Sequence, residues 1–340
     1  MDSAAHIAVP APSKPLRTAH ERGLRALFGG YRAAVSDRLD GQVKSSWLAG
    51  NPIIPVMPPE AVRRMLHQGL NASGRRMAIV ADPAQPAETV DVVALAEAAG
   101  LKTLLLAPAG LPRPEAPGEV VEIPDPAFVA ARLQFQPEPD PFEPDPQPKR
   151  RRLLVSFHDP HDAARWEARA KDVTYLEFLR WEMAEWFDRE HPKFMVRGFP
   201  LRSGVRSDDN RATLDTVMLM RHFNHVRMLD APPHLDAVVA AMAHHNPLLV
   251  TTQPALALFG ISRQLPTIFV PLTEADHARF HGLGFGGLTT EPYRFRADLA
   301  SAMIVAIHSD QQTRQDIATA RKALAATADA AQRAIAAWLA

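Results

Sequence analysis

Residues 136–148 read QPEPDPFEPDPQP, with six prolines in thirteen positions, interleaved with acids. Proline fixes φ and removes a backbone donor, so neither a helix nor a central strand can run through this stretch. The composition predicts an extended, semi-rigid, solvated spacer. It divides the 340-residue chain into an N-terminal α/β domain over 1–135, a linker over 136–150 and a C-terminal α/β domain with closing helices over 151–340. That length supports two cores of ordinary size. A basic run, Lys149–Arg152, leaves the linker and is expected to be a solvated strand entry.

After the linker, short apolar runs alternate with helical patterns. Arg151–Phe157, Lys193–Phe199, His225–Asp230, Pro247–Thr252 and Pro266–Leu272 read as strands. Between them, Thr174–Glu190 carries Leu176, Leu179, Met183, Trp186 and Phe187 at helical spacing. Thr213–Phe223, Pro233–His245 and the short PALALFGIS stretch are also helical. His191-Pro192 is a helix stop. Strands alternating with helices imply parallel pairing through right-handed crossovers, with helices on both faces. In the first half, Ile53–Met57, Arg76–Asp82, Lys102–Pro108 and Glu119–Asp125 read as strands, and Pro59–Leu70 and Ala87–Ala99 as helices. Gly100 suits the left-handed residue that ends the second of these helices. The first 50 residues carry helical patterns that the sequence does not place. The fold class is therefore α/β, with two Rossmann-like domains built on doubly wound, mostly parallel sheets.

The 38 basic and 38 acidic residues balance, so no net field draws the chain to nucleic acid or an anionic membrane. With no cysteine, disulfides, thiolate zinc sites and a cysteine nucleophile are excluded. This is compatible with a cytoplasmic setting. No apolar run reaches the roughly 20 residues of a membrane span. No signal peptide is read from the N-terminus, and no Walker A, Gly-x-Gly-x-x-Gly, Gly-x-Ser-x-Gly or His-Glu-x-x-His motif occurs.

The clearest candidate site lies at Thr251-Thr252-Gln253-Pro254. Proline suits the first helical turn, and the free N–H groups of a helix that follows a strand form an anion site at the ligand-binding edge of an open sheet. The segment Asp230–Thr290 resembles the donor-binding domain of glycosyltransferases with the GT-B fold. The register rests on GISRQLPTIFVPL, where Gln264-Leu265-Pro266 stands at the family's Gly-Val-Pro. Asp276-His277 stand near its Asp-Gln pair, and Gly282–Gly287 at its glycine segment. Ala297–Ile317 resembles its closing helices. The chain departs from the family at Thr251 (histidine there), at Thr252 and Gln253 (two glycines), and at Leu256 and Phe259 (a hydroxyl residue and a ribose-binding glutamate).

The resemblance implies a nucleotide-sugar bound by Thr251, Thr252, Gln253, Asp276 and His277, with Ser156, His158 and Asp159 beside its phosphates. Arg197 and Arg202 would supply charge for a phosphate. The residue types of His158, Asp159, His161 and Asp162 also suit a metal, but no metal site and no cofactor are expected. The base that deprotonates an acceptor hydroxyl would be His20 or His67. The expected function is metal-independent sugar transfer from a nucleotide-sugar to an unknown acceptor. The alternatives are a non-catalytic partner or scaffold of an active transferase, which implies a protein partner, and a nucleotide-sugar epimerase.

Overall fold

The computed structural model describes residues 14–29, 32–35, 53–69, 73–81, 86–144, 150–157, 173–190, 193–201, 209–222, 226–244, 246–291 and 295–340. Two compact units emerge, and they do not follow chain order. The first gathers Met1–Ala11, Ala19–Ala130 and Lys322–Ala340; the second gathers Pro12–Thr18 and Ala131–Arg321. The sequence places everything after the linker in one domain, whereas the end of the chain belongs with the first unit.

The first unit holds α1 (Lys14–Leu27), β1 (Arg32–Val35), β2 (Ile53–Met57), α2 (Pro59–His67), β3 (Arg76–Val80), α3 (Pro86–Ala98), β4 (Lys102–Pro108), β5 (Glu119–Ile123) and α4 (Pro126–Ala130). Its sheet is parallel and runs in strict chain order, β1-β2-β3-β4-β5. The period of two along a strand sorts its residues between two layers. Met77, Ile79 and Leu105 face α2 and α3, together with Ala61, Val62, Met65, Val92 and Val93. Ala78, Leu104 and Leu106 face the other way, onto Leu24, Leu27 and Phe28 of α1 and onto Ala328, Ala331 and Ile335 near the chain's end. Both faces are thus covered, as buried parallel strands require. Gly100 has the positive φ of 81° that turns the chain out of α3. β1 falls within the segment that the sequence left unplaced.

The second unit holds β6 (Arg151–Ser156), α5 (Val173–Glu190), β7 (Phe194–Gly198), α6 (Asp209–Val217), β8 (Val226–Met228), α7 (Leu235–Met242), β9 (Leu248–Thr251), α8 (Pro254–Ser262), β10 (Thr267–Phe269), α9 (Glu274–Gly282) and α10 (Ala297–Ser309). The last helix, α11 (Gln311–Leu339), begins in this unit and ends in the first. The parallel sheet has the order β10-β9-β6-β7-β8. From β6 the chain first builds outward through β7 and β8, then crosses back to β9 on the other side. The switch point therefore lies between β6 and β9, where open α/β sheets bind ligands at their carboxyl edge.

The proline-rich segment has neither helix nor strand over residues 136–144, as its prolines require. It is not merely a solvated spacer. Phe142 is wholly buried, and Arg152 of β6 is also inaccessible to solvent. The Arg152 guanidinium binds the carboxylates of Asp140 and Glu143 and lies 5.9 Å from the Phe142 ring centroid. Arg227 of β8 donates to the Phe142 carbonyl at 2.7 Å. The reading of Lys149–Arg152 as a solvated entry fails at Arg152, because the acids that neutralise it lie in the linker itself. An unpaired guanidinium there would carry a desolvation cost of several kcal/mol.

Candidate functional site

At the switch point Ser156 and Thr251 are register partners on β6 and β9. The Thr251 hydroxyl donates to the Ser156 carbonyl at 2.7 Å and accepts from the Gln253 amide at 3.0 Å. Its single proton is committed inside the sheet edge, so in this arrangement Thr251 shapes the turn rather than offering a donor to a phosphate. The turn delivers the chain into α8, with Pro254 at the start and Gln253 as N-cap residue making no side-chain cap bond. Leu256, Ala257, Leu258, Phe259 and Ile261 of α8 are all buried. Such an apolar helix is pinned by its surroundings. Phe259, at the position of a ribose-binding acid in the resembling family, packs edge-on against Phe135 with centroids 5.9 Å apart. It is a core residue.

Three buried side-chain atoms at this edge have no hydrogen-bond partner among the described residues: Ser156 Oγ, Gln253 Nε2 and Thr290 Oγ1. Their residues are 0%, 5% and 6% exposed. Ser156 ends β6, and Gln253 follows β9. Thr290 is tied to the end of β10, its amide donating to the Phe269 carbonyl at 3.0 Å. Among the described residues, an unpaired polar atom thus lies at or just beyond the carboxyl end of each of three neighbouring strands. Buried polar groups are nearly always paired, and clusters of exceptions mark sites with another use.

The other expected residues fall as follows. His158 and Asp159, with His161 and Asp162, lie outside the described residues, as do Arg202 and the His191-Pro192 pair. Thr252 is buried beside Thr251. Arg197 is not an open arginine on the edge. It lies within β7, 2% exposed, and donates to the Val196 carbonyl at 2.9 Å. Asp276 serves the start of α9: Thr273 accepts from its amide at 3.0 Å and donates to its carboxylate at 2.9 Å. His277 stands next to His281 on that helix, with ring centroids 4.4 Å apart. Burial, then the His281 charge, pushes the His277 ring below its ordinary value, against the pull of Glu274 and Glu291.

In the first unit, His20 and His67 sit on opposite layers of the sheet. His67 is exposed in the last turn of α2. His20 on α1 places Nε2 3.5 Å from Asp125 Oδ1, with side chains only 14% and 8% exposed. Asp125 lies two residues past the carboxyl end of β5 and accepts from the Ala127 amide at 2.9 Å, which fixes it at the start of α4. Gly23 makes this approach possible, since a Cβ there would lie 1.8 Å from the Pro126 carbonyl oxygen. A histidine oriented by a buried carboxylate is an arrangement suited to accepting a proton. Asp125 was missed in the sequence, where it reads as the last residue of a strand.

Asp140, Glu143 and His244 are close enough in space to share a metal ion. The guanidinium of Arg152 already holds both carboxylates. Among the described residues, no helix is long and apolar enough to cross a membrane.

No protein-family model and no curated protein sequence matches the chain. Solved structures do. The trehalose-6-phosphate synthase OtsA is 12% identical, with 93% of this chain and 76% of that one covered at a TM-score of 0.52. The spinosyn rhamnosyltransferase SpnG is 10% identical, with 97% and 98% covered at 0.50. A structure assigned as a UDP-N-acetylglucosamine 2-epimerase from Listeria monocytogenes is 11% identical, with 84% and 77% covered at 0.51. At such identities the likeness concerns the fold. The chain has the GT-B-like fold that its C-terminal motifs resemble, two Rossmann-like α/β units of parallel strands.

Proposed function

We propose that the protein transfers a sugar from a nucleotide-sugar to an acceptor hydroxyl, with the donor held at the switch-point edge of the second unit. The observation that carries this reading is the set of unsatisfied atoms at the ends of β6, β9 and β10. Ser156 Oγ, Gln253 Nε2 and Thr290 Oγ1 are hydrogen-bonding groups without a partner among the described residues, and the α8 N-terminus beside them favours an anion. A diphosphate fits such a set: hydroxyls and an amide donate, and the helix dipole supplies partial positive charge. One structural neighbour, a trehalose-6-phosphate structure from E. coli bound with UDP-2-fluoro glucose, supports the ligand class. As the acceptor oxygen attacks the anomeric carbon, its proton passes to a base and the sugar–phosphate bond breaks toward the diphosphate; within the first unit, His20 oriented by Asp125 is the candidate for accepting a proton.

One observation favours the second reading, a non-catalytic partner of an active transferase. Phe259 is locked in the core and cannot accept from ribose hydroxyls. A thermal-shift series with UDP, GDP, CMP and dTDP sugars separates the two. A ligand at 100 times its Kd stabilises by about 2.7 kcal/mol. Thr252→Val should weaken the response several-fold with little change in the apo transition. If none of the nucleotide-sugars shifts the parent protein, the non-catalytic reading is correct.

A further inference from the structure

On α9, His277 and His281 are spaced i,i+4, which places two side chains on one helical face about 5–6 Å apart at Cβ. Their rings stand 4.4 Å apart, inclined at 56°. The His281 ring is fixed from the other side by Gly286, where a Cβ would meet its Cε1 and Nδ1 at 2.6 Å. The Thr273–Asp276 cap holds the helix start rigid, so the pair sits on a settled scaffold. His277 is half-buried and His281 exposed, so an ion reaches the pair from solvent.

We propose that His277 and His281 form a two-histidine chelate for a divalent transition ion. Two imidazoles one helical turn apart can both place a nitrogen about 2.0–2.1 Å from a shared ion. Two neutral nitrogen ligands suit zinc, nickel and copper, and the affinity should follow the order Co < Ni < Cu > Zn. The remaining coordination positions stay open to water or an oxygen ligand. Nothing in this inference depends on the chain being a glycosyltransferase.

The test uses the full chain, stripped with a chelator, and titrated calorimetrically with Ni2+ and Zn2+ separately. One saturable site is expected, with Ni2+ and Zn2+ competing for it. His277→Ala and His281→Ala should each weaken it roughly tenfold or more, since even outer groups of a metal site are worth about that factor. His67→Ala should leave it unchanged. Alanine keeps the helix, which circular dichroism checks. The proposal is overturned if no saturable binding occurs. It is equally overturned if His277→Ala and His281→Ala bind as the parent does. A site that is lost instead in His244→Ala places the ion at Asp140 and Glu143 and refutes the assignment to α9.

Discussion

Replacing Ser156 by alanine should make this protein more stable and less able to bind its ligand. A buried hydroxyl usually earns its place through a partner, but Ser156 Oγ has none among the described residues and its residue is wholly buried. Burying an unpaired hydroxyl costs about 1–3 kcal/mol in protein mutational data. Alanine removes the hydroxyl with almost no change of shape. The backbone bonds at the position remain, because Thr251 and Thr252 bind the Ser156 carbonyl rather than its side chain. Strand preference contributes at most a few tenths of a kcal/mol, so relief of desolvation wins. A gain of about 1 kcal/mol is expected, visible as a rise in the urea midpoint at constant slope. In a unit of this size it corresponds to about 2–4 °C in Tm. The same variant should lose most of the nucleotide-sugar response, a trade-off typical of binding sites. A lower urea midpoint for Ser156→Ala would refute the reasoning, because it would show that the hydroxyl is satisfied in the folded state.

Other expected outcomes rest on separate features. Arg152→Met should destabilise the second unit by about 3 kcal/mol in urea unfolding, the low end for breaking a buried pair, since Glu143 is half exposed. In Gly23→Ala the helix gains about 1 kcal/mol of propensity. A backbone oxygen 1.8 Å away cannot rotate aside, so overpacking of about 1–3 kcal/mol should win and lower the melting temperature. Burial and then the Arg151 charge lower the pKa of His308, whose Nε2 meets Arg151 Nη2 at 2.8 Å. Burial and then the His281 charge lower that of His277. For both, the folded value lies below the unfolded 6.5, so their contribution is complete above that pH and is lost as pH falls through the lower folded values. Urea midpoints from pH 7.5 to 5 should therefore fall, and the fall should shrink in a His308→Gln, His277→Gln double variant.

Much of the fold could be read from local pattern. Ile53–Met57 and Lys102–Pro108 have the bounds expected from their apolar runs, because proline and glycine punctuate them at both ends. β1 was unreadable for the opposite reason: RAAV has no periodic signature, and its pairing with β2 makes it a strand. Ser156 and the turn at 251–254 were visible because strand ends and N1 prolines are local signals. What decides their roles is not local. The proton of Thr251 goes to a carbonyl on another strand, and Asp125 becomes a partner for His20 only when α1 crosses the end of β5. Arg152 looked solvated because charge runs usually are. Its acids were in view a few residues upstream, yet nothing in a proline-rich stretch says that it folds back.

The path of α11 bears on how the chain can be made and cut. Ala328, Ala331 and Ile335 complete the layer that covers Ala78, Leu104 and Leu106. During synthesis, the earliest strands therefore wait for the latest helix before one side of their sheet is closed. The usual order, in which an N-terminal domain folds first and alone, does not hold for such a threading. A fragment ending near Ala130 should expose that apolar layer and aggregate. Supplying the Lys322–Ala340 segment as a separate peptide should restore its solubility.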